Sequence, residues 1–193
     1  MRKRLFCVLM MTLLLTGCGG TGVSEGEQLA LTIRGEFLAA QGCSATAEIT
    51  ADYGQRVYQY TMEVSGAGEE MTLTLTAPDT VAGITARLKG EDSLLEYEEL
   101  VLETGPLNPA GLTPVSAVPA LLEAVRSGYI TCCTLEEECG LLRVDCGDPE
   151  GTAGSGTEIS LWFEANSHQL RRGEIRDDGF RVIDCVFTDF TNE

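Results

Sequence analysis

The sequence predicts an α+β fold in which a large curved antiparallel sheet, a half-barrel of about ten strands, wraps around two helices. Apolar and polar residues alternate from Cys43 onward, in short segments separated by turn residues, which is typical of strands with one buried face. Two other segments carry apolar residues at helical spacing instead. Short connections favour antiparallel neighbours, and a sheet of this size curves and needs a covered apolar face, so we expect the helices to cover it.

The first helix is predicted from about residue 25 to residue 41, where Gly42 supplies a stop. Its buried face is predicted to consist of Leu29, Ile33, Phe37 and Ala40. The second helix is predicted from about residue 117 to residue 127, with Ser116 as N-cap and Gly128 as its end. Its apolar stripe is Val118, Leu121, Leu122 and Val125. Each helix therefore offers one apolar face to the sheet.

The strands are predicted from their period of two. The first one runs from Cys43 to Ala51 and has a face of small residues, and a hairpin follows it. The large residues expected on one face of that hairpin are Tyr58, Tyr60, Met62, Val64, Met71, Leu73 and Leu75. Further strands are expected over residues 81–89, 94–102, 129–135, 138–146, 158–163, 170–175 and 180–188.

The N-terminus carries a secretion signal. Arg2-Lys3-Arg4 precede an apolar run over residues 5–15 that is shorter than the roughly 20 residues a transmembrane helix needs. The run ends in Leu15-Thr16-Gly17-Cys18, which resembles a bacterial lipobox. That resemblance implies cleavage before Cys18 and its acylation, with palmitate-type chains that hold the protein at the extracytoplasmic face of the cell membrane. An ordinary secreted protein cut nearby is the alternative.

These features divide the chain into a signal peptide over residues 1–17, a flexible Gly-rich tether over residues 18–26 and one domain over residues 27–193. Removal of the signal peptide leaves ten basic residues against thirty acidic ones, a formal charge of −20. Such a charge argues against nucleic acid and anionic lipid headgroups as direct partners, because both would be repelled.

Six cysteines remain after residue 18, and in an oxidising compartment they suggest disulfides. In a hairpin that turns at Glu136-Glu137, Cys132 and Cys139 share one face, so a short bridge between them is conceivable, and Cys133 lies nearly opposite Cys139 if the register shifts by one residue. For Cys43 and Cys185, which sit among apolar residues, buried free thiols are the alternative. No C-x2-C pair is present, so neither a metal site nor another cofactor is predicted.

No motif for catalysis is found. His168 lies in a predicted turn without a nucleophile motif to serve, and the glycine-rich loop over residues 151–156 lacks the lysine of a phosphate-binding loop. The paired glutamates, such as Glu98-Glu99, are interpreted as solvated faces in so acidic a chain. The protein is therefore predicted not to be an enzyme.

The layout resembles the LolA/LolB-like fold, an open half-barrel around helices. The segments that carry the resemblance are residues 51–54 leading into the Tyr58/Tyr60 strand, residues 78–84, Leu161-Trp162-Phe163, Leu170, Glu174-Ile175 and the last strand with Phe187 and Phe190. The resemblance implies a concave apolar face that holds acyl chains of lipoproteins or other hydrophobic ligands. The candidate residues of that face are Tyr58, Tyr60, Met62, Leu73, Leu75 and Trp162.

Some lipid-anchored relatives, the group of the germination lipoprotein GerS, act instead through a protein partner. The lipobox, the acidic surface and the clustered cysteines place this chain nearer to that group. The functional prediction is a lipid-anchored extracytoplasmic module that binds another envelope protein, with sporulation or germination as candidate settings. The alternative is a carrier of lipids or lipoproteins in a concave apolar cavity.

Overall fold

The computed structural model describes residues 23–90, 92–136 and 138–192. The predicted signal peptide and Cys18 lie outside these residues. The elements in chain order are α1 (Glu25–Ala39), β1 (Gly42–Asp52), β2 (Val57–Ala67), β3 (Glu70–Ala77), β4 (Thr85–Lys89), β5 (Asp92–Tyr97), β6 (Leu100–Glu103), α2 (Pro114–Ser127), β7 (Ile130–Glu136), β8 (Leu141–Cys146), β9 (Thr157–Glu164), β10 (Leu170–Asp177) and β11 (Phe180–Asn192).

The strands form one antiparallel sheet in the order β6-β5-β4-β3-β2-β1-β11-β10-β9-β8-β7. Each half of the sheet is a meander, and the halves join where β1 pairs with β11. Helix α2 connects the two edge strands, β6 and β7. The predicted fold class, a large antiparallel sheet with two helices, is confirmed, with eleven strands rather than about ten.

Helix α1 begins after a capping box, in which the side chain of Ser24 accepts from the backbone N–H of Glu27 and the Glu27 carboxylate accepts from the N–H of Ser24. Ile33 and Phe37 are buried as predicted. The other buried positions are Gly26 and Ala30 rather than Leu29 and Ala40, so the face is rotated from the predicted one.

Helix α2 begins at Pro114, three residues before the predicted start. Thr113 is the N-cap, and Ser116, predicted in that role, is instead the third helical residue, which completes a capping box. Pro114 fits the first turn because the N–H that proline lacks would have had no partner there. The predicted apolar stripe is buried at all four positions, Val118, Leu121, Leu122 and Val125. Neither described helix is long and apolar enough to cross a membrane.

Three predicted strand boundaries are wrong. The single strand predicted over residues 94–102 is a hairpin, because Glu98 adopts a positive φ of 53° and forms a two-residue turn with Glu99. Residues 81–83 form a turn, so β4 starts only at Thr85. Strand β8 starts at Leu141 rather than at residue 138 because the turn after β7 extends to Gly140.

The face of the sheet that packs against the helices is called the inner face, and the opposite one the outer face. On β1, Cys43, Ala45, Ala47, Ile49 and Ala51 are all buried on the inner face, as the alternation predicted. Helix α1 packs on β7 and β8, whereas α2 packs on β9, β10, β11 and β1. The helices therefore cover the half of the sheet from β1 through β11 to β7.

Helix α2 approaches its surroundings closely at two glycines. A Cβ atom at Gly173 on β10 would lie 2.6 Å from Leu121 Cδ1. A Cβ atom at Gly111, in the loop before α2, would lie 2.6 Å from both Ala120 Cβ and Ile175 Cδ1. Gly111 also has a positive φ of 70°. Glycine at these positions lets the helix lie directly on the sheet.

The replacement Gly111→Ala is expected to destabilise the protein by about 2–4 kcal/mol, because a left-handed backbone costs a residue with a Cβ roughly 1–2 kcal/mol and overpacking adds about as much or more. Gly54→Ala is the matched control, since Gly54 has a positive φ of 79° and nothing within 4 Å of a built Cβ. Urea unfolding of both variants measures the difference. Equal losses of stability would contradict the packing constraint.

Candidate functional site

The structure divides the six predicted residues of the concave face into three groups. Met62, Leu73 and Leu75 lie on the inner face and are closed off, with 0%, 1% and 6% of their surfaces exposed. Tyr58 and Tyr60 lie on the same face but near its end, where Tyr58 is exposed and Tyr60 is half-buried. Trp162 is on the outer face. The predicted set is therefore not one continuous surface.

The two tyrosines belong to a stack of three rings, in which Tyr58 and Tyr60 are nearly parallel and the ring of Tyr53 is tilted 58° from that of Tyr58. The ring centroids of Tyr53 and Tyr58 are 6.2 Å apart, and those of Tyr58 and Tyr60 are 6.3 Å apart. The Tyr53 hydroxyl donates to the carbonyl of Leu112 at 3.1 Å, which ties the stack to the loop before α2. Partial burial raises the pKa of Tyr53. The stack stiffens this end of the inner face.

An open groove lies between α2 and the inner face of β3 to β5. It consists of two adjoining clefts of about 270 Å³ and 520 Å³. The clefts share Leu88, Gly90, Pro119 and Glu123. Met71 lines the larger one, and Leu107 lines the smaller one. None of the three buried residues predicted for the concave face lines either cleft, so the open space lies nearer the edge of the sheet than expected.

Trp162 was predicted for the concave face and is placed on the outer face. Its ring lies between two guanidinium groups, with Arg143 Cζ 5.3 Å and Arg172 Cζ 5.0 Å from the ring centroid. The prediction failed because β9 is buried on both sides, with Leu161 and Phe163 on the inner face. In such a strand the period of two does not show which face is inside. The arrangement is a cation–π sandwich across β8, β9 and β10.

Next to Trp162 the outer face holds a buried carboxylate. Glu174 is only 3% exposed and accepts from three guanidinium groups. Arg172 Nη2 lies 2.6 Å from Glu174 Oε1, Arg176 Nη2 lies 2.8 Å from Oε2, and Arg181 Nη1 lies 3.2 Å from Oε1. The hydrogen bond that Arg172 donates to Asp184 raises the pKa of Arg172. The network joins β10 to β11 and occupies Glu174 fully.

Replacing Glu174 with glutamine is expected to destabilise the protein by about 1–3 kcal/mol, because three arginines lose their shared acceptor charge. Glu48→Gln is the control, since Glu48 is exposed on the outer face of β1. Thermal and urea unfolding of the two variants provide the comparison. A Glu174→Gln protein as stable as the control would show that the network is not needed for the fold.

A third cleft, of about 490 Å³, opens on the outer face beneath the loop over residues 147–156. Its polar lining includes Arg143, Asp145, Ser160 and Arg176. Ser160 Oγ donates to Asp145 Oδ1 at 2.6 Å, and Arg143 Nε donates to the same oxygen at 2.9 Å. Opposite charges thus neutralise each other within the cleft, which selects for no single sign of charge in a ligand.

All six cysteines among the described residues are free thiols. The predicted Cys132–Cys139 bridge is absent, and the hairpin explains why. Cys139 lies in the turn after β7, where its Sγ donates to Glu136 Oε2 at 3.2 Å. Cys132 lies four residues before Glu136 on β7, about 13 Å from it at the usual rise of a strand, and Cys139 lies beyond Glu136 in the turn. Bridged Cα atoms lie within about 7 Å of each other.

Three of these thiols are inner-face core groups, namely Cys43, Cys146 and Cys185. Burial raises the pKa of each of them, that of Cys146 to about 11. Their thiols stay protonated at neutral pH and pack as small apolar groups. Among the described residues no group of three or more histidines, cysteines and carboxylates is arranged to hold a metal ion.

His168 has a structural contact rather than a catalytic setting. Its Nδ1 lies 2.8 Å from Glu36 Oε2, which links the turn between β9 and β10 to α1. The residue adopts a positive φ of 61° in that turn. No serine, threonine or cysteine side chain is among the hydrogen-bond partners of His168 in the described part of the chain. The pair fastens α1 to the sheet.

The edge strand β6 has three consecutive exposed apolar residues. Leu100, Val101 and Leu102 are 67%, 60% and 62% exposed. They were not among the predicted site residues, because the hairpin was predicted as one strand and its acidic residues as a solvated face. The signal that could have identified them is Leu100-Val101-Leu102 directly after Glu98-Glu99, in a stretch without lysine or arginine between Lys89 and Arg126.

No protein-family model matches the chain, and no curated protein sequence is significantly similar to it. Solved structures with a similar fold include an uncharacterised conserved protein from Thermus thermophilus, with 9% identity, 86% of each chain covered and a TM-score of 0.52. A LolA superfamily protein from Nitrosomonas europaea is 11% identical over 87% of this chain and 93% of that chain, with a TM-score of 0.44.

A third similar structure is the complex of the CwlD amidase from Clostridioides difficile with the GerS lipoprotein. The matched chain is 14% identical, over 91% of this chain and 100% of that chain, with a TM-score of 0.47. The structural neighbours thus include the LolA superfamily and the GerS complex that the sequence resemblance had indicated. At these identities the likeness is one of fold.

Proposed function

We propose that the protein is a lipid-anchored module on the extracytoplasmic face of the cell membrane and that its domain binds another envelope protein, without catalysing a reaction itself. The anchor is Cys18, in the lipobox-like sequence Leu15-Thr16-Gly17-Cys18. The strongly acidic composition of the domain fits a solvated external protein that is repelled by anionic headgroups.

The main support for protein binding is the position of the exposed apolar surface. The centre of the inner face is filled, since Met62 and Leu73 are almost completely buried. The apolar side chains of β6 remain open to solvent at the edge of the sheet. An exposed apolar edge strand is a binding surface for another protein chain, because it offers both apolar contacts and unpaired backbone groups.

A second function, binding of a lipid or lipoprotein acyl chain, is favoured by the groove between α2 and β3 to β5. Leu88, Leu107 and Pro119 give it apolar walls. The larger cleft, of about 520 Å³, is within the range of roughly 300–1,000 Å³ that small hydrophobic ligands occupy, and the smaller one, of about 270 Å³, is just below it. Both signs of charge lie at the larger cleft, since Arg126 lines it together with Glu70 and Glu123, and Glu70 is paired with Lys89.

The replacement Cys18→Ser is expected to move the protein from the membrane fraction to the soluble fraction, because the acyl chains attach to the cysteine sulfur. Fractionation of cells that produce either form, followed by immunoblotting, measures the shift. Cys7→Ser is the matched control, since Cys7 lies within the predicted signal peptide and should not affect anchoring. Membrane association of the Cys18→Ser protein would contradict the anchor.

The two functions are distinguished by identifying the molecules that are bound to the protein purified from cells. Cross-linking in intact cells, followed by purification in mild detergent, is expected to recover one envelope protein at a fixed ratio to the lipoprotein. Native mass spectrometry of the cell-derived domain is expected to show no lipid adduct. A reproducible lipid adduct together with no cross-linked protein would favour the carrier function instead.

A further inference from the structure

We propose that the free edge of β6 binds an extended segment of the protein partner as an additional antiparallel or parallel strand, and that this segment alternates apolar residues with lysine or arginine. The inference rests on the proposed protein-binding function and specifies the surface and the chemistry of the partner.

The backbone of β6 has free hydrogen-bonding groups at two positions. The hairpin has a two-residue turn, so Tyr97 and Leu100 form the first hydrogen-bonded pair and alternate pairs follow. The bond that Thr104 N–H donates to the carbonyl of Ser93 at 3.1 Å fits this alternation. Val101 and Glu103 therefore direct their N–H and C=O groups away from β5. These groups lie at the end of the sheet order, where a further strand can pair with them.

The side chains of β6 are exposed on both faces of this edge. Leu100 and Leu102 continue the inner face beyond Tyr97 and Leu95, whereas Val101 and Glu103 lie on the outer face. Natural edge strands are usually protected by being very short, by charged side chains, especially lysine, by proline, by a bulge or by a covering element. Strand β6 is short, with four residues, and its one charged side chain, Glu103, is negative. Strand β6 contains no lysine or proline, and its pairing with β5 has no bulge. The other edge strand, β7, differs because α1 packs against it.

The charge around this edge has one sign. Asp92, Glu96, Glu98, Glu99 and Glu103 are the ionisable acids described on the hairpin, which has no basic residue. Only Glu96 among them has an ion-pair partner in the described residues, Arg87 at 2.9 Å. An incoming strand places alternate side chains on opposite faces of the sheet. If every second residue is lysine or arginine, these residues lie on the outer face, where one of them is next to Glu103. Apolar residues between them would contact Leu100 and Leu102.

A second copy of this chain is a poor occupant for the same reason. Two β6 strands paired with each other would bring the carboxylates of two hairpins together without any basic residue between Lys89 and Arg126 in either copy. Like charges directly opposite each other destabilise strand pairing. The charge pattern therefore selects for a different, basic chain.

The test uses the soluble domain and two labelled seven-residue peptides, one alternating valine and lysine and the other alternating valine and glutamate. Fluorescence anisotropy is expected to show at least tenfold tighter binding of the lysine peptide, with an affinity that falls as salt is added. Hydrogen exchange with the lysine peptide is expected to become slower at the amides of Val101 and Glu103.

Two variants locate the binding. Val101→Pro removes an edge-facing N–H while leaving the bonds to β5 in place, and is expected to weaken binding at least tenfold, whereas its control Val101→Thr should stay within threefold. Glu103→Lys keeps the backbone and changes only the charge, and is also expected to weaken binding of the lysine peptide at least tenfold. It therefore remains informative if Val101→Pro disturbs the hairpin.

Equal binding of the two peptides, exchange protection away from β6, or unchanged binding by both weakening variants would overturn the proposal. Sedimentation that shows a dimer of the free domain dissociated by Val101→Pro would also overturn it, in favour of a second copy. If cross-linking in cells recovers an envelope protein equally well with Val101→Pro and Glu103→Lys, the protein-binding function stands and the β6 edge is not its site.

Discussion

The close contact between α2 and the sheet is the constraint on which the rest of the structure depends. Gly173 on β10 admits Leu121 without a Cβ in the way, and Gly111 lets the preceding loop pass beside Ala120. The C-terminal end of α2 is fixed by α1, because Arg34 donates to the carbonyl of Val125 at 2.8 Å and to that of Gly128 at 2.7 Å. These bonds satisfy carbonyls that the helix itself leaves free. The two helices and the sheet are thus locked together.

The position of α2 on the sheet determines which parts of the inner face are open to solvent. Because α2 lies on β9 to β11 and on β1, the centre of the inner face is closed, and the open space is displaced to the groove beside Leu88 and Pro119. The helices pack on β1 and on β7 to β11, and Leu100 and Leu102 on the far hairpin are exposed. The groove and the exposed apolar residues of β6 therefore lie toward one edge of the sheet, while the other half holds the packed helices and the outer-face cleft beneath the loop over residues 147–156.

The charged side chains are also distributed unevenly between the two halves of the sheet. Four arginines, Arg143, Arg172, Arg176 and Arg181, lie on the outer face of β8 to β11 and are engaged with carboxylates or with the ring of Trp162. Within the described parts of the chain, the carboxylates on the hairpin of β5 and β6 have no such partners, Glu96 excepted. The arginines on the outer face of the second half are consequently paired, whereas the charges of the far edge are carboxylates, which favour a basic partner over an acidic one.

The amino-acid pattern by itself determined the α+β class, the apolar stripe of α2 and the alternation of β1, because each depends on local periodicity alone. It also located the lipobox-like motif that ends at Cys18. The tertiary structure decided the rest. Trp162 faces outward because β9 is covered on both sides, and Cys132 stays apart from Cys139 because the turn is longer than predicted. The residues of β6 are exposed because α2 packs on the other half of the sheet. That placement depends on packing between residues far apart in the chain, so no local sequence pattern indicates it.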